Sequence, residues 1–361
     1  MKIAFLAYIF VLCCFYVEII GLVTIDSYGD IIMQHYKKIT KGAVLDDILL
    51  YPNVGNGTND KLVKRGQFVH YQNAKANIII CHGFGCDHQD VSVLRHIFDS
   101  GAYNVLSFDF RAHGDKSGAD DVIEYCTFGK DETHDLRTAI DFVTHYPDAH
   151  VSQKPIFVYG FSMGAVIAIE TAACCQGKIK GLILDCPFES SEEVVKRGIE
   201  DISIEIFGYK INCPGASILK EYAFHPYVQG VVKRVLKTVS NLDTKDVATD
   251  LHPVYPINTI QSISVPILFI HCKNDKKIPL DAVMSLYGKA PGYKRLWITK
   301  GRGHFGSYLY RPETYKAVVR AFMEKIMLAD SSTGVEKSEG IVLDDTEEMS
   351  NKQIVTLLGF K

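Results

Sequence analysis

The sequence predicts an α/β fold, in which a mostly parallel sheet is covered by helices on both faces. From Phe68 to Met327, short apolar runs alternate with stretches of helical periodicity, which is typical of strands joined by helices. Apolar runs such as Ile78–Ile80 lack polar alternation, as expected for strands buried on both faces. A chain of 361 residues is long enough for one large catalytic domain with an insertion.

The predicted elements follow the apolar runs in order. The strands are Phe68–Tyr71, Asn77–Cys81, Asn104–Phe108, Ile156–Tyr159, Gly181–Leu184, Pro266–His271 and Lys294–Thr299. The helices are Val91–Phe98, Asp131–His145, Met163–Cys174 and Glu313–Met327. We predict one domain over residues 31–328 that contains all of them.

The segment between Leu184 and Pro266 is too long for a simple connection, so it must carry structure of its own. Ser190 followed by Glu193 has the spacing of a capping box, which marks the start of a helix. Apolar residues then recur at helical spacing, at Val195, Ile199, Ile202 and Ile206 and again from Val228 to Val239. We therefore predict an inserted helical cap at about residues 189–250.

The two ends of the chain differ in character. Ile3–Val17 carries no charge, and after Glu18 the apolar run resumes at Ile19–Ile25. Residues 1–30 are therefore predicted to be a membrane anchor or a signal peptide, so the protein is expected to be membrane-associated or exported. Residues 329–361 are polar and acidic, and they are predicted to be a mobile tail with a short apolar end at Ile354–Phe360.

Composition excludes several classes of function. Hydrophobic residues make up 47% of the chain, which predicts a sizeable core, and the net charge of −3 offers no basic field for nucleic acid. The 10 cysteines form no CxxC pair and have no zinc-type spacing with histidine, so we expect mostly free thiols and no metal. The sequence implies no cofactor and identifies no protein partner.

A candidate nucleophile lies between a predicted strand and a predicted helix. Gly160-Phe161-Ser162-Met163-Gly164 places a serine at a sharp turn, and the flanking glycines remove side chains that would clash there. The turn exposes the hydroxyl at a helix N-terminus, where backbone N–H groups stabilise negative charge. Ser162 is therefore the predicted nucleophile, and the alternative is a serine that only caps the helix.

Serine needs a base to accept its proton, and that base needs a carboxylate to orient it. His304 lies in a glycine-rich loop between the last predicted strand and the last predicted helix, and it is the predicted base. Asp275 follows the strand that ends at His271, and it is the predicted acid because the chain order is then Ser, Asp, His. Asp185, which follows the strand ending at Leu184, is the rival acid.

An oxyanion that forms during acyl transfer needs two hydrogen-bond donors. The N–H of Met163 follows the nucleophile directly, and the loop His82-Gly83-Phe84-Gly85 follows an early strand. We predict that the N–H groups of Phe84 and Met163 form the oxyanion hole. His82 is expected to brace that loop rather than transfer protons.

These blocks resemble the α/β-hydrolase superfamily, and within it the membrane-associated serine hydrolases of the S33 aminopeptidase and lysophospholipase kind. The ordered blocks are His82–Gly85, Asp109–Gly114, Gly160–Gly164, Val265–Ile267, Asn274-Asp275 and Gly303-His304. The resemblance implies an α/β-hydrolase fold, with Ser162, Asp275 and His304 as catalytic triad and Phe84 and Met163 as oxyanion donors. It also implies that Asp109, Arg111 and His113 are scaffold. The chain departs from the pattern at Asp115–Ser117 and at Cys272, where glycine is common.

We therefore expect a serine hydrolase that acts on carboxylic esters or thioesters, with a small-molecule or lipid acyl substrate. One alternative is an aminopeptidase with the same triad, which would need a carboxylate for the substrate ammonium; Glu193, Glu200 and Glu205 are candidates. Another is a binding protein on the same fold without catalysis. Such proteins usually lose the serine or the histidine, and both are present here.

Overall fold

The computed structural model describes the following residues: 44–50, 63–98, 101–114, 125–200, 203–206, 209–212, 222, 225, 230, 247–329, 338–344 and 349–360. The chain divides into two compact units. The larger unit is Thr40–Ser191 with Leu242–Lys361, and the other contains Glu192–Asn241. The predicted triad and oxyanion residues lie in the larger unit, whereas Glu193, Glu200 and Glu205, the candidates for binding a substrate ammonium, belong to the other unit.

The larger unit is built on a nine-stranded sheet in the order β1-β2-β4-β3-β5-β6-β9-β10-β11. The strands are β1 (Val44–Leu50), β2 (Lys64–His70), β3 (Ala76–Cys81), β4 (Tyr103–Phe108), β5 (Ile156–Phe161), β6 (Ile179–Asp185), β9 (Ile267–Asn274), β10 (Lys294–Arg302) and β11 (Glu339–Asp344). Only the β1–β2 and β2–β4 pairs are antiparallel. The prediction of a mostly parallel sheet is confirmed, and β1 was not predicted.

Helices connect the strands, as the alternating pattern predicts. They are α1 (Arg95–Phe98), α2 (Glu132–Thr144), α3 (Ala149–Ser152), α4 (Met163–Cys175), α5 (Ser191–Glu200), α6 (Pro256–Thr259), α7 (Leu280–Lys289), α8 (Gly306–Tyr310), α9 (Pro312–Leu328) and α10 (Asn351–Leu357). On one face of the sheet, Ile78 and Ile80 share a buried cluster with Val318 and Phe322 of α9. Side chains alternate along a strand, so the equally buried Ile79 faces the other side.

The predicted first cap helix is wrong beyond Glu200. Helix α5 ends there, and Ser203–Ile206 forms a strand, β7, that pairs antiparallel with β8, Tyr209–Asn212. Isoleucines at 204 and 206 alternate with polar residues, which is the period of a strand rather than of a helix. The helix predicted over Val228–Val239 lies outside the described residues apart from Gly230, so the cap at 189–250 stays a prediction.

The prediction of a mobile tail is wrong for most of residues 338–360. Strand β11 extends the sheet in parallel beside β10. Helix α10 begins with a capping box between Ser350 and Gln353, and it packs against α9. Ile354 and Val355 of this helix, and Leu358 directly after it, belong to the main buried cluster. Burial of these apolar side chains stabilises the segment, although most of the residues around them in the sequence are polar.

The predicted anchor or signal peptide, residues 1–30, lies outside the described residues. Within the ranges that the structure describes, no helix has both the length and the apolar character needed to span a membrane.

Candidate active site

Ser162 occupies the turn between β5 and α4. Its backbone has φ 53° and ψ −117°, a conformation that costs a non-glycine residue free energy and is common at functional turns. The two flanking glycines are required by close packing. A Cβ on Gly160 would lie 2.5 Å from the Cα of Ala165, and one on Gly164 would lie 2.2 Å from the carbonyl oxygen of Cys81. The turn therefore holds the hydroxyl at the N-terminus of α4.

The structure brings Ser162, His304 and Asp275 together. Nε2 of His304 lies 2.8 Å from Oγ of Ser162, and Nδ1 of His304 lies 2.7 Å from Oδ2 of Asp275. A carboxylate accepts hydrogen bonds, so Nδ1 carries a proton and Nε2 is free to accept the serine proton. The elements that end at these positions, β5, β9 and β10, are parallel neighbours or separated only by β6 in the sheet.

Asp275 is held in place from both sides. Its Oδ1 accepts hydrogen bonds from the N–H groups of Lys277 and Ile278, at 2.8 and 3.1 Å. Burial alone would raise the pKa of Asp275, but the hydrogen bond and charge of His304 and the Ile278 N–H outweigh it and lower the pKa below its ordinary value. The carboxyl is therefore ionised at neutral pH, as stabilising an imidazolium requires.

The rival acid, Asp185, does not contact the imidazole of His304. Its Oδ2 accepts a hydrogen bond from the hydroxyl of Tyr315 at 2.6 Å, inside the core. Burial raises the pKa of Asp185 to about 6. The sequence analysis preferred Asp275 to Asp185, and the structure places the carboxyl of Asp275, not that of Asp185, against the imidazole of His304.

The loop after β3 lies beside Ser162, the candidate nucleophile. A Cβ on Gly83 would sit 3.6 Å from the Cβ of Ser162 and 3.1 Å from the ring of Phe161. His82 braces the loop: Nδ1 donates to the carbonyl of Gly83 at 2.8 Å, and Nε2 accepts from the N–H of Phe110 at 3.0 Å. Burial lowers the pKa of His82, so it stays neutral in this arrangement. Phe84 and Met163 therefore lie on the two chain segments that flank Ser162.

Residues of the Asp109–Gly114 block make internal contacts, as the resemblance implies. The guanidinium of Arg111 donates to both oxygens of Asp135, at 3.1 and 2.8 Å, inside the protein. Oδ1 of Asp109 accepts hydrogen bonds from the backbone N–H and from Nδ1 of His88, at 2.7 and 2.8 Å. These side chains hold loops together rather than face Ser162.

Two contacts to the His304 loop have no signal in the sequence. The thiol of Cys186 lies 2.8 Å from the carbonyl oxygen of His304, and the ring of Phe161 packs 5.1 Å from the imidazole, centroid to centroid. A third contact explains Cys272, where glycine is common in the family: its thiol donates to the carbonyl of Gly301, at the base of the same loop.

One group of side chains has the composition of a metal site. Cys186, His271 and Asp275 each offer one ligand atom, and these atoms lie within 4.8 Å of one another. Both oxygens of Asp275 already accept hydrogen bonds, the thiol of Cys186 already donates, and Nε2 of His271 donates to the carbonyl of Ile278 at 3.1 Å. We therefore assign these residues to the hydrogen-bond network behind the triad.

Comparison with known proteins agrees with this geometry. The family model for serine aminopeptidase, S33, matches residues 72–206, which is less than half of the chain. The uncharacterised protein YqkD of Bacillus subtilis is 27% identical over 264 residues, 73% of this chain and 75% of YqkD. The lysophosphatidylserine lipase ABHD12 of Xenopus tropicalis is 24% identical over 241 residues, 64% of this chain and 52% of that protein.

A solved structure shares the architecture. The esterase Pf2001 of Pyrococcus furiosus superposes with a TM-score of 0.56, at 21% identity, over 84% of this chain and 98% of the esterase. At that identity the likeness shows the fold. Together with the strand order, the Ser162 turn and the ordered motifs, these matches show that the chain has the α/β-hydrolase fold, and the proteins to which it is similar include an esterase and a lipase.

Proposed function

We propose that the protein is a serine hydrolase that cleaves carboxylic esters or thioesters through an acyl-enzyme on Ser162. The observation that carries this proposal is the hydrogen-bonded chain from Ser162 through His304 to Asp275. Each member has the partner that its role requires: a hydroxyl beside a free imidazole nitrogen, and an imidazole beside a buried carboxylate.

The first half of the reaction acylates the serine. Nε2 of His304 takes the hydroxyl proton of Ser162 as Oγ bonds to the acyl carbon of the substrate. The carbonyl oxygen becomes an oxyanion, which the N–H groups of Phe84 and Met163 stabilise. The bond from the acyl carbon to the leaving oxygen or sulfur then breaks, and His304 returns its proton to that leaving group.

The second half removes the acyl group. A water molecule gives a proton to Nε2 of His304, and its oxygen bonds to the acyl carbon. The bond to Oγ breaks, the carboxylic acid leaves, and His304 returns the proton to Ser162. Asp275 keeps the imidazole in one tautomer throughout and stabilises the imidazolium in each half.

The surroundings of the triad favour an acyl substrate over a peptide. Three partly exposed aromatic side chains, Phe84, Phe161 and Phe305, lie on the segments that carry the candidate residues. An aminopeptidase would instead need a carboxylate to pair with the α-ammonium of its substrate, because an unpaired charge is costly to bury. The names of the lysophosphatidylserine lipase and of the Pyrococcus esterase also favour an ester.

The test is labelling with a fluorophosphonate, followed by specificity constants for p-nitrophenyl esters from acetyl to dodecanoyl and for aminoacyl arylamides. We expect labelling of the full chain that is lost in Ser162→Ala and kept in the matched control Ser152→Ala on α3. We also expect rates that rise with acyl length, since each buried methylene is worth about 0.8 kcal/mol. Efficient arylamide cleavage that requires a free α-amine would support the aminopeptidase instead.

A further inference from the structure

A buried carboxyl that the proposed reaction does not use lies directly behind the triad. Asp185, the last residue of β6, is fully buried. Its Oδ2 accepts from the hydroxyl of Tyr315 at 2.6 Å, and the hydroxyl of Tyr159 lies 2.8 Å from that of Tyr315 and 3.5 Å from the same oxygen. Its Oδ1 lies 3.1 Å from the thiol of Cys186. We call these four residues the Asp185 cluster.

The Asp185 cluster contacts both halves of the triad. The carbonyl oxygen of Asp185 accepts the backbone N–H of Ser162 at 2.9 Å. The thiol of Cys186 lies 2.8 Å from the carbonyl oxygen of His304, so one thiol is shared between Asp185 and the main chain of the base. Cys186 has φ 52°, a left-handed conformation that a non-glycine residue adopts at a cost, and its N–H donates to the carbonyl of Ile270 at 3.0 Å.

We propose that Asp185 is a positioning residue. Its main-chain carbonyl holds the backbone of Ser162, and its carboxyl, through the Cys186 thiol, positions the main chain of His304 and adds a second negative charge near that residue. This inference rests on the proposed function. It gives Asp185, the rival acid of the sequence analysis, a separate role. In this role Asp185 acts through its neighbours and not on the substrate.

The protonation state of the Asp185 carboxyl depends on the titratable groups packed around it. The titratable groups around the cluster come from several elements: Tyr159 of β5, Cys186 after β6, His271 and Cys272 of β9, Asp275 after β9, His304 after β10, Tyr308 of α8 and Tyr315 of α9. Burial raises the pKa of Asp185, while hydrogen bonds from Tyr315 and Cys186 and the charge of His304 oppose that rise, and the pKa settles at about 6. Above that pH the carboxylate accepts every hydrogen bond that the cluster offers. Below it, the carboxyl is neutral and one donor loses its acceptor.

The test compares three variants of the full chain. Asp185→Asn keeps the shape and removes the charge, and Tyr315→Phe keeps the ring and removes one donor. Tyr293→Phe is the control, because the hydroxyl of this buried tyrosine has no hydrogen-bond partner among the described residues. We measure kcat and KM for p-nitrophenyl butyrate from pH 5 to 9, and thermal unfolding for each protein.

We expect kcat of Asp185→Asn to fall about 10- to 100-fold with KM within twofold, because small displacements of reacting groups have effects of that size. The kcat of Tyr315→Phe should fall about 3- to 10-fold, and the acidic limb of its pH profile should shift, because the Asp185 carboxylate loses one hydrogen bond. Tyr293→Phe should match the unsubstituted chain. Should Asp185→Asn fail to fold, Tyr315→Phe alone decides: unchanged kcat and pH profile would overturn the proposal.

A second readout separates this inference from the proposed function. The low-field proton resonance of His304 Nδ1–H reports the position of the imidazole whether or not an ester is cleaved. We expect it to shift in Asp185→Asn and Tyr315→Phe and to stay in place in Tyr293→Phe. If the unsubstituted chain neither hydrolyses esters nor reacts with fluorophosphonate, the proposed serine hydrolase function is wrong, whatever the resonance shows. If the His304 resonance is the same in all variants, the proposed positioning role of Asp185 is wrong.

Discussion

Nη1 of Arg311 donates to both carboxylate oxygens of Asp344, at 3.0 and 3.1 Å, and so joins the start of α9 to the end of β11. The carboxylate of Asp344 is fully buried and the guanidinium nearly so. The second guanidinium nitrogen donates to the carbonyl of Met349, just before α10. The side chain of Arg311, at the start of α9, therefore forms hydrogen bonds at the end of β11 and just before α10, the two elements of the C-terminal segment.

Replacing Arg311 should destabilise the whole fold. We expect Arg311→Ala to lower the free energy of unfolding by about 3 kcal/mol, because it removes the main cation from a buried carboxylate. Urea unfolding followed by circular dichroism measures the change. Lys316→Ala on the same helix is the control: its partner Glu313 is largely exposed, and such pairs contribute less than about 1 kcal/mol. Equal losses in the two variants would contradict the structural role of the Arg311 contact.

The proposed triad predicts a large effect from a small change. Asp275→Asn should lower kcat about 10,000-fold, because the amide permits the wrong tautomer of His304. The double variant Ser162→Ala/His304→Ala should be no worse than Ser162→Ala, since residues that act as one unit do not add. Asp281→Asn, an exposed carboxyl in the first turn of α7, is the control for ester turnover. Near-normal turnover by Asp275→Asn would show that this carboxyl is not the acid of the triad.

The tight nucleophile turn predicts that a single methyl group disrupts it. A Cβ on Gly164 would meet the carbonyl of Cys81 at 2.2 Å, a distance that only a shift of two backbone segments can relieve. We expect Gly164→Ala to cost at least about 2 kcal/mol of stability and most fluorophosphonate reactivity. Gly177→Ala, two residues after α4, meets nothing within 4 Å and should behave like the unsubstituted chain. Full reactivity in Gly164→Ala would mean that the turn is looser than described.

Two buried groups predict opposite effects of pH on stability. Burial lowers the pKa of His271 to about 4, so the unfolded chain binds a proton first as pH falls from 6.5, and stability drops until about pH 4. Burial raises the pKa of Asp185 to about 6, so the folded chain binds a proton first, and stability rises as pH falls from about 6 to 3.8. Each group changes the free energy of unfolding by roughly 3 kcal/mol over its pH window.

One variant removes the pH dependence of each group and so isolates the contribution of the other. His271→Gln should lose the acid-dependent drop between pH 6.5 and 4, and Asp185→Asn should make that drop steeper. Chemical denaturation at half-unit steps of pH measures both, and slopes are compared rather than absolute stabilities. Parallel curves for all three proteins would show that neither group is held away from its ordinary pKa.

The apolar N-terminal sequence predicts membrane association. We propose that the full chain partitions with membranes and resists extraction by 1 M salt, because burial of Ile3–Ile25 is apolar rather than ionic. A chain that starts at Ile31 should be soluble and keep the esterase activity of the full chain. A mature protein in the soluble fraction that has lost residues 1–21 would indicate a cleaved signal peptide instead.

Residue patterns predicted the parts of the fold that depend on local order. Buried strands such as β3 and β5 are uninterrupted apolar runs, and the carboxyl ends of parallel strands meet at one edge of the sheet. Placing Ser162, Asp275 and His304 after such strands was therefore enough to expect them near one another. The preference for Asp275 over Asp185 also came from the sequence, but the hydrogen bond of Asp275 to His304 is visible only in the structure.

What sequence missed depends on distant partners. Glu339–Asp344 looks like part of a polar tail, and it becomes a strand only because β10 pairs with it and Arg311 neutralises Asp344. Ile206 continues the helical spacing of Val195 and Ile199 by coincidence, because it lies in strand β7, which pairs antiparallel with β8. The shared thiol of Cys186 depends on one left-handed residue, for which no local pattern exists.

The adjacency of β6 and β9 has a consequence for the proposed triad. The proposed nucleophile follows β5, whereas the proposed acid and base follow β9 and β10, and the chain between β6 and β9 includes the separate unit Glu192–Asn241. Ser162 and His304 are 142 residues apart, so their meeting is a non-local contact of the kind that forms slowly. In the proposed mechanism, Ser162 has no base until β9 and β10 have joined β6. We therefore expect Ser162 to gain reactivity only after the two parts of the sheet have paired.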